Sequence, residues 1–373
     1  MSIRRDFRTA RRCALLMAVA ALLTSYGPMR AAEQAAPAPV GAAAAYHVTR
    51  KVALGAPDRW DYVVFDPDSR RVYVAHGDRV TVVDGDSGAR VGEVTGFAGG
   101  THGIAIATAA GRGYTDDGRA GRAGSFDLRS LHVEHLIATE PGSDAIAFDP
   151  SSGHVFVING EPSTVSVIDP RSDRVVATIH VGGDLEYAGA AGGKLYVNGA
   201  ERRELVRIDT ASNVIDARWP LAGCVSPHGL ALDAHSRRVF VSCVNEVLLA
   251  VDADSGAIIA RLPIGRGTDA AAFDPQRKLV FSSNGRDGTI SVIEERTPSR
   301  FLFLGNIQAA VTGRTMALDP RTGRIYLAAA QIATPSTSAA STAATAGATP
   351  AGRARRPPLV PGSLELWFID PAP

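Results

Sequence analysis

Seven ionisable residues recur along the chain at near-even intervals. Asp61, His102, Asp144, Glu186, His228, Asp269 and Arg314 are separated by 41, 42, 42, 42, 41 and 45 residues. Brought together, carboxylates, imidazoles and a guanidinium can hold a small polar ligand or a cation in a concavity. Histidine with carboxylate suits a transition metal, and neighbouring acids such as Asp144 and Glu186 suit a hard cation. A divalent cation is the one cofactor left open, with Asp144, Glu186 and His228 as its ligands, although no metal is the expectation. The chain has no Gly-rich phosphate loop, no Gly-x-Ser-x-Gly elbow, no Cys-x-x-Cys-His haem site and no His-Glu-x-x-His pair.

The elements that carry these residues are a repeat. Asp144-Ala145-Ile146-Ala147-Phe148-Asp149-Pro150 returns as DAAAFDP from Asp269, DYVVFDP from Asp61 and HGLALD from His228, with weaker copies from His102, Glu186 and Arg314. An aromatic residue follows in each copy, at Tyr73, Tyr114, Phe156, Tyr196, Phe240, Phe281 and Tyr326. An apolar run then closes on an acid, at Asp84, Asp127, Asp169, Asp209, Asp252, Glu294 and Asp370. Each copy holds four short apolar runs between turn residues; in the third they are 145–148, 154–158, 164–168 and 174–181. Their β-branched content reads as strand. Four antiparallel strands per unit of about 42 residues make a propeller blade.

The expected fold is therefore all-β, a seven-bladed β-propeller of four-stranded antiparallel blades over residues 46–373. The seventh unit stops after its third strand, and an orphan strand, Tyr46–Ala53, precedes the first unit. Pairing the two completes the last blade and removes the exposed edges.

This pattern resembles the YVTN family of β-propeller repeat proteins, the YncE-like group. The resemblance covers about residues 46–373. It rests on the Phe/Leu-Asp-Pro turn, the Arg/Lys-x-Tyr/Phe-Val strand and the Ile-Asp end of the third strand. The family tetrapeptide is approximated at Tyr196-Val197-Asn198 and Phe156-Val157-Ile158-Asn159. The resemblance implies the fold. It carries over no catalytic residue, because no single catalytic motif defines the family and propellers serve unrelated tasks.

In a propeller the first strand of each blade lines the central channel, so the seven ionisable residues are expected to rim one mouth. Around the circle every non-acid falls between two acids, and only Asp144 and Glu186 are like-charged neighbours. Two readings stand: a site for a small molecule, peptide or cation, or an annulus of alternating charges that satisfy one another. One metal ion needs donors about 3–4 Å apart, whereas His102 and His228 lie three blades apart. The loop between second and third strands shares this face. In the seventh blade that loop is residues 331–362, an Ala/Thr/Ser/Pro tract with Arg353, Arg355 and Arg356. It is expected to be disordered, either shading the mouth or simply tolerated.

Cys224 and Cys243 both fall in the fifth blade, near the ring face, and an oxidising compartment favours a disulfide between them. His132 and His135 read as surface residues of an outer strand. The repeated Tyr and Phe positions read as blade-packing core. Trp60, beside Asp61, reads as packing under the first strand or as an aromatic at the mouth.

Residues 1–32 carry six of the 39 basic residues and one of the 38 acids, leaving 33 basic and 37 acidic residues, a net of −4, beyond them. That body argues against an electrostatic grip on nucleic acid. Arginines followed by the apolar run Cys13–Leu23 read as an export signal, Sec or twin-arginine, too short to span a bilayer. Residues 33–45 read as a spacer. The sequence thus points to a periplasmic or secreted monomer without a membrane span, a binding scaffold meeting a protein or small molecule at the mouth. Catalysis is not the favoured reading. The alternatives are a metal-dependent lactonase-type hydrolase using the Asp/His ring, and a nucleic-acid-binding propeller.

Overall fold

The computed structural model describes residues 45–160, 162–333 and 358–372. The expected leader and spacer up to residue 44, and residues 334–357 of the insert, lie outside the described residues.

Valine, isoleucine and aromatic residues alternate with small or polar ones in runs of four to nine residues, and each run is a strand. These build seven four-stranded antiparallel sheets. The third blade has strands Ser143–Asp149, His154–Asn159, Thr164–Asp169 and Arg174–His180, within two residues of expectation. Innermost strands of successive blades pack side by side around the circle, the first against the seventh included.

The last blade is completed as the sequence requires. Tyr46–Ala53 pairs antiparallel with Glu365–Pro371, from Tyr46 opposite Pro371 to Ala53 opposite Glu365. Lys51 adds a cation–π contact, its Nζ 3.7 Å from the centre of the Trp367 ring. The seventh blade thus has four strands like the others, with Tyr46–Ala53 as its outer strand covering the edge of Glu365–Pro371.

The core is distributed between blades. Each apolar cluster joins two consecutive blades, and one joins the seventh to the first through Leu54, Trp60 and Val63 against Tyr326, Leu366 and Phe368. All seven repeated aromatics are buried. The recurring aspartates act as turn caps, because a short carboxylate can accept backbone N–H groups two and three residues on. Asp274 accepts from Gln276 and Arg277, and Asp252 from Asp254 and Ser255. The first and third sequence registers are thus fixed by turn chemistry, and the aromatic register by packing between blades.

At the ring face, the stubs of the insert are tied down. Ile332 bridges Leu359, and Asp58 accepts the backbone N–H groups of Gly362 and Leu364.

Candidate functional site

The inner strands begin at one mouth of the channel, and the seven ionisable residues stand at or just before those beginnings. Five are linked side by side. Arg314 donates from Nη1 to Asp269 Oδ2 at 2.5 Å and from Nη2 to the Trp60 carbonyl at 2.6 Å, and Nη2 lies 3.5 Å from Asp61 Oδ2. His228 Nδ1 donates to Asp269 Oδ1 at 3.0 Å and stands 3.8 Å from Glu186 Oε2. Their side chains are about one-fifth exposed, wet enough to meet a ligand and dry enough for charge to matter.

The expectation of alternating pairs is corrected at His102. Its imidazole is held by Asp116, a fully buried residue on the second strand of its own blade, with Nδ1 to Oδ2 at 2.8 Å. Neither Asp61 nor Asp144 touches it. The other Asp116 oxygen accepts the backbone N–H groups of His102 and Gly103. Arg59 Nη2 lies 3.1 Å from His102 Nε2.

The charge balance is uneven around the ring. Both strong links converge on Asp269. Burial works to raise its pKa, but Arg314 and His228 overcome this and hold it at about 2. Asp144 has no hydrogen bond or ion pair among the described residues. Burial first, then Asp61 and Glu186, push it well above the ordinary carboxylate range. Glu186 is pushed up to about 7 by burial, with His228 only partly opposing. Burial lowers the pKa of both ring histidines, but the hydrogen bonds that His102 donates to Asp116 and His228 donates to Asp269 lead the opposing effects, and both lie above the ordinary histidine value. Asp61 and Glu186 have only the longer contacts, at 3.5 Å to Arg314 and 3.8 Å to His228, and among the described residues Asp144 is the ring acid without an ion pair.

The mouth is a cup rather than an open bore. Tyr62 of the first blade and Tyr187 of the fourth meet across the axis, ring centroids 4.8 Å apart and planes tilted by 53°. Tyr62 also packs against the core between blades three and four, and Tyr187 against the core between its own blade and the fifth and against that between blades six and seven. Burial pushes both phenols up, Tyr187 to about 12, so both are neutral hydroxyls. Toward the other mouth lies a hollow of about 280 Å³ lined by Val64, Ile106, Ile146 and Phe148 together with Asp66 and Asp68.

The donors of the ring do not make a metal cage. Among the described residues, the group with three donors within 4.8 Å of one another is Glu134, His135 and Asp173, on the outer wall. There Arg112 pairs with Glu134 at 2.7 Å, and Asp173 is saturated by Tyr114, Ser125 and His135. His135, expected to be a plain surface residue, thus has a buried partner.

Near His228, the sulfurs of Cys224 and Cys243 are bonded, Cα atoms 5.5 Å apart. The bond lies beside a surface hollow of about 490 Å³ that includes Arg202, Arg203 and Leu221. Trp60 is packing: it is 5% exposed, among Leu54, Val63 and Leu364, with Arg314 over its ring.

Two groups of residues were missed in sequence. The residue after each ring position reads Tyr62, Gly103, Ala145, Tyr187, Gly229, Ala270, Thr315, and the two tyrosines among small residues are the floor. At Gly103 and Gly229 a side chain would strike the next blade, a Cβ meeting Ile146 N at 2.5 Å and Ala271 N at 2.6 Å. Two positions after the repeated aromatics stand Asp116, Asn198, Ser242 and Ser283. They support the ring from below: Asn198 donates to the His228 carbonyl, Ser242 accepts from Gly229, and Ser283 accepts from Ala270.

No family model matches the chain. A segment of 180 residues is 28% identical to the uncharacterized protein YncE of Salmonella typhimurium, covering 46% of this chain and 47% of that one. YncE of Salmonella typhi matches with the same identity and coverage. The sequence resemblance is to YncE-like propellers. The match spans about half the length of these curated relatives. Similar solved structures include U3-55K, with TM-score 0.70 and 12% identity over 88% of this chain and 99% of that one. The WD40 repeats of RRP9 follow with TM-score 0.66 and 12% identity over 77% and 91%. Hydrazine synthase of Kuenenia stuttgartiensis has TM-score 0.62 and 15% identity over 71% and 91%. At such identities they show the fold alone. Among the described residues no helix is long and apolar enough to cross a membrane.

Proposed function

We propose that this YncE-like propeller is an exported binding scaffold whose ligand, or the side chain of a partner, is seated in the cup at the charged mouth. The observation that carries this is the uneven ring: the Asp144 side chain has no hydrogen-bond or ion-pair partner among the described residues, while Arg314 and His228 are both drawn to Asp269. A purely structural annulus would pair its charges, because an unpaired, partly buried carboxylate destabilises the fold. Asp144 stands beside Glu186 over a ready-made floor, which suits a preformed site.

The test is a thermal-shift panel of small cations, anions and neutral polar molecules on the mature chain and on the Asp144→Asn/Glu186→Gln variant. The proposal expects a stabilising ligand whose effect the variant abolishes. Export rests on the arginine-rich leader and its apolar run; it is tested by fractionation of cells expressing the full chain or a chain lacking residues 1–32.

The second reading, a hydrolase, draws on the His102–Asp116 pair, which has the geometry that orients a general base. Turnover of a lactone or ester panel, lost in His102→Gln, would favour it over the scaffold.

A further inference from the structure

The chemistry of the cup selects among ligands. Resting on the site reading above, we propose that its ligand class is an organic ammonium ion: an amine or quaternary nitrogen carrying apolar carbon, held between Asp144 and Glu186 above the Tyr62–Tyr187 floor.

Two independent features lead there. The first is the distribution of charge. Five carboxyl groups, Asp61, Asp116, Asp144, Glu186 and Asp269, stand with Arg314, Arg59 and the two histidines around the cup, and burial and crowding push Asp144 and Glu186 toward the neutral acid, which an entering cation would reverse. The cations are not shared evenly, since Arg314 and His228 hydrogen-bond Asp269. A positive charge entering the cup relieves the repulsion between Asp144 and Glu186, whereas an anion increases it.

The second is the floor. Two neutral phenol rings meet 4.8 Å apart across the axis and present aromatic surface. A hard divalent ion takes six to eight oxygen ligands or retains its waters, and aromatic carbon offers neither. A transition ion needs closely gathered donors, yet no three donors of the ring lie within 4.8 Å of one another. An organic ammonium ion asks for less exact geometry. On a quaternary nitrogen the charge is spread over the bonded carbons and weakly hydrated, a primary ammonium can instead donate hydrogen bonds to the carboxylates, and both gain from acidic walls and aromatic faces together. The side chain of a lysine on a partner has the same chemistry, so the test includes a peptide arm.

Trp60 supplies the readout, because Arg314, which sits over its ring, also reaches Asp61 and Asp269. Tryptophan fluorescence of the mature chain, with Trp219→Phe/Trp367→Phe as a background isolating Trp60, is titrated with choline, tetramethylammonium, cadaverine, a lysine-containing tripeptide, calcium, zinc, citrate and glucose. Saturable binding is expected for one or more ammonium compounds. Asp144→Asn/Glu186→Gln should weaken it by at least about tenfold, and Tyr187→Leu, which keeps an apolar floor without the ring, by about threefold. Circular dichroism checks that each variant is folded. Calcium, zinc, citrate or glucose binding in a manner abolished by Asp144→Asn/Glu186→Gln, with no ammonium response, overturns this inference and leaves the cup a binding site. No response that depends on Asp144 or Glu186 from any compound overturns both.

Discussion

Tyr62 and Tyr187, three blades apart, meet over the channel axis, ring centroids 4.8 Å apart and planes tilted by 53°. This one contact closes the charged cup from below, and it ties opposite sides of the ring of blades together. Replacing Tyr62 by alanine should lower the free energy of unfolding by roughly 3 kcal/mol, while phenylalanine, which keeps the ring, should cost less than about 1 kcal/mol. Urea denaturation of the two variants makes the comparison.

The ring also sets the dependence of stability on pH. Glu186 titrates at about 7, above its ordinary 4.5, so the folded state binds more protons than the unfolded state between those values. Stability therefore falls as pH rises through that window. The ring histidines, shifted upward, act in the same direction: the stability they contribute at low pH is lost as pH rises through their folded values. Asp269, at about 2, acts at the other end, contributing above its ordinary 3.8 and losing that contribution as pH falls toward 2. Maximum stability should lie in the mildly acidic range. Glu186→Gln should be more stable than the parent by roughly 2 kcal/mol near pH 8, and nearly equal to it near pH 4.5. Denaturation curves across that range test the sign. Glu295, also raised to about 7 by burial and by Asp233, is the second contributor, so Glu295→Gln serves as the matched control.

Arg314 fastens the sixth, seventh and first blades through Asp269, the Trp60 carbonyl and Asp61. Arg314→Gln leaves Asp269 with His228 alone. A loss of about 3 kcal/mol is expected, together with a rise in the Asp269 pKa seen by carbonyl NMR. Arg314→Lys should recover only part of the loss, since an ammonium cannot reproduce the planar fork.

The propeller was legible because its repeats are written in turn and packing residues. Asp149 and Asp274 cap turns that every blade makes, and Phe156 and Phe281 fill a gap that every pair of blades leaves. The closing strand was legible because the seventh unit lacks an outer strand. The site was legible only in part. Spacing placed seven charges at one mouth, but pairing depends on side-chain reach, which spacing does not record. His102 turned to Asp116 because that carboxylate sits directly beneath it and also accepts two backbone N–H groups. The tyrosine floor joins blades remote in sequence; its trace was two bulky residues at a position otherwise filled by Gly, Ala or Thr.

Removing residues 1–53 should abolish soluble, folded protein, because Glu365–Pro371 would lose its antiparallel partner and expose its edge. Supplying a synthetic Tyr46–Ala53 peptide in trans should rescue part of the circular dichroism signal.

The Cys224–Cys243 bond closes a loop with a sequence separation of 19. Reduction, or replacement of both cysteines by alanine, should lower stability by about 3 kcal/mol in the chain-entropy picture. The measurement is paired denaturation with and without reductant.

The most direct measurement is a crystal structure of the mature chain at saturating choline. The account predicts the choline nitrogen in the cup, beside the carboxylates of Asp144 and Glu186, with its methyl groups on the rings of Tyr62 and Tyr187. Choline bound elsewhere while the cup holds only water, with the Tyr62–Tyr187 contact intact, would contradict it.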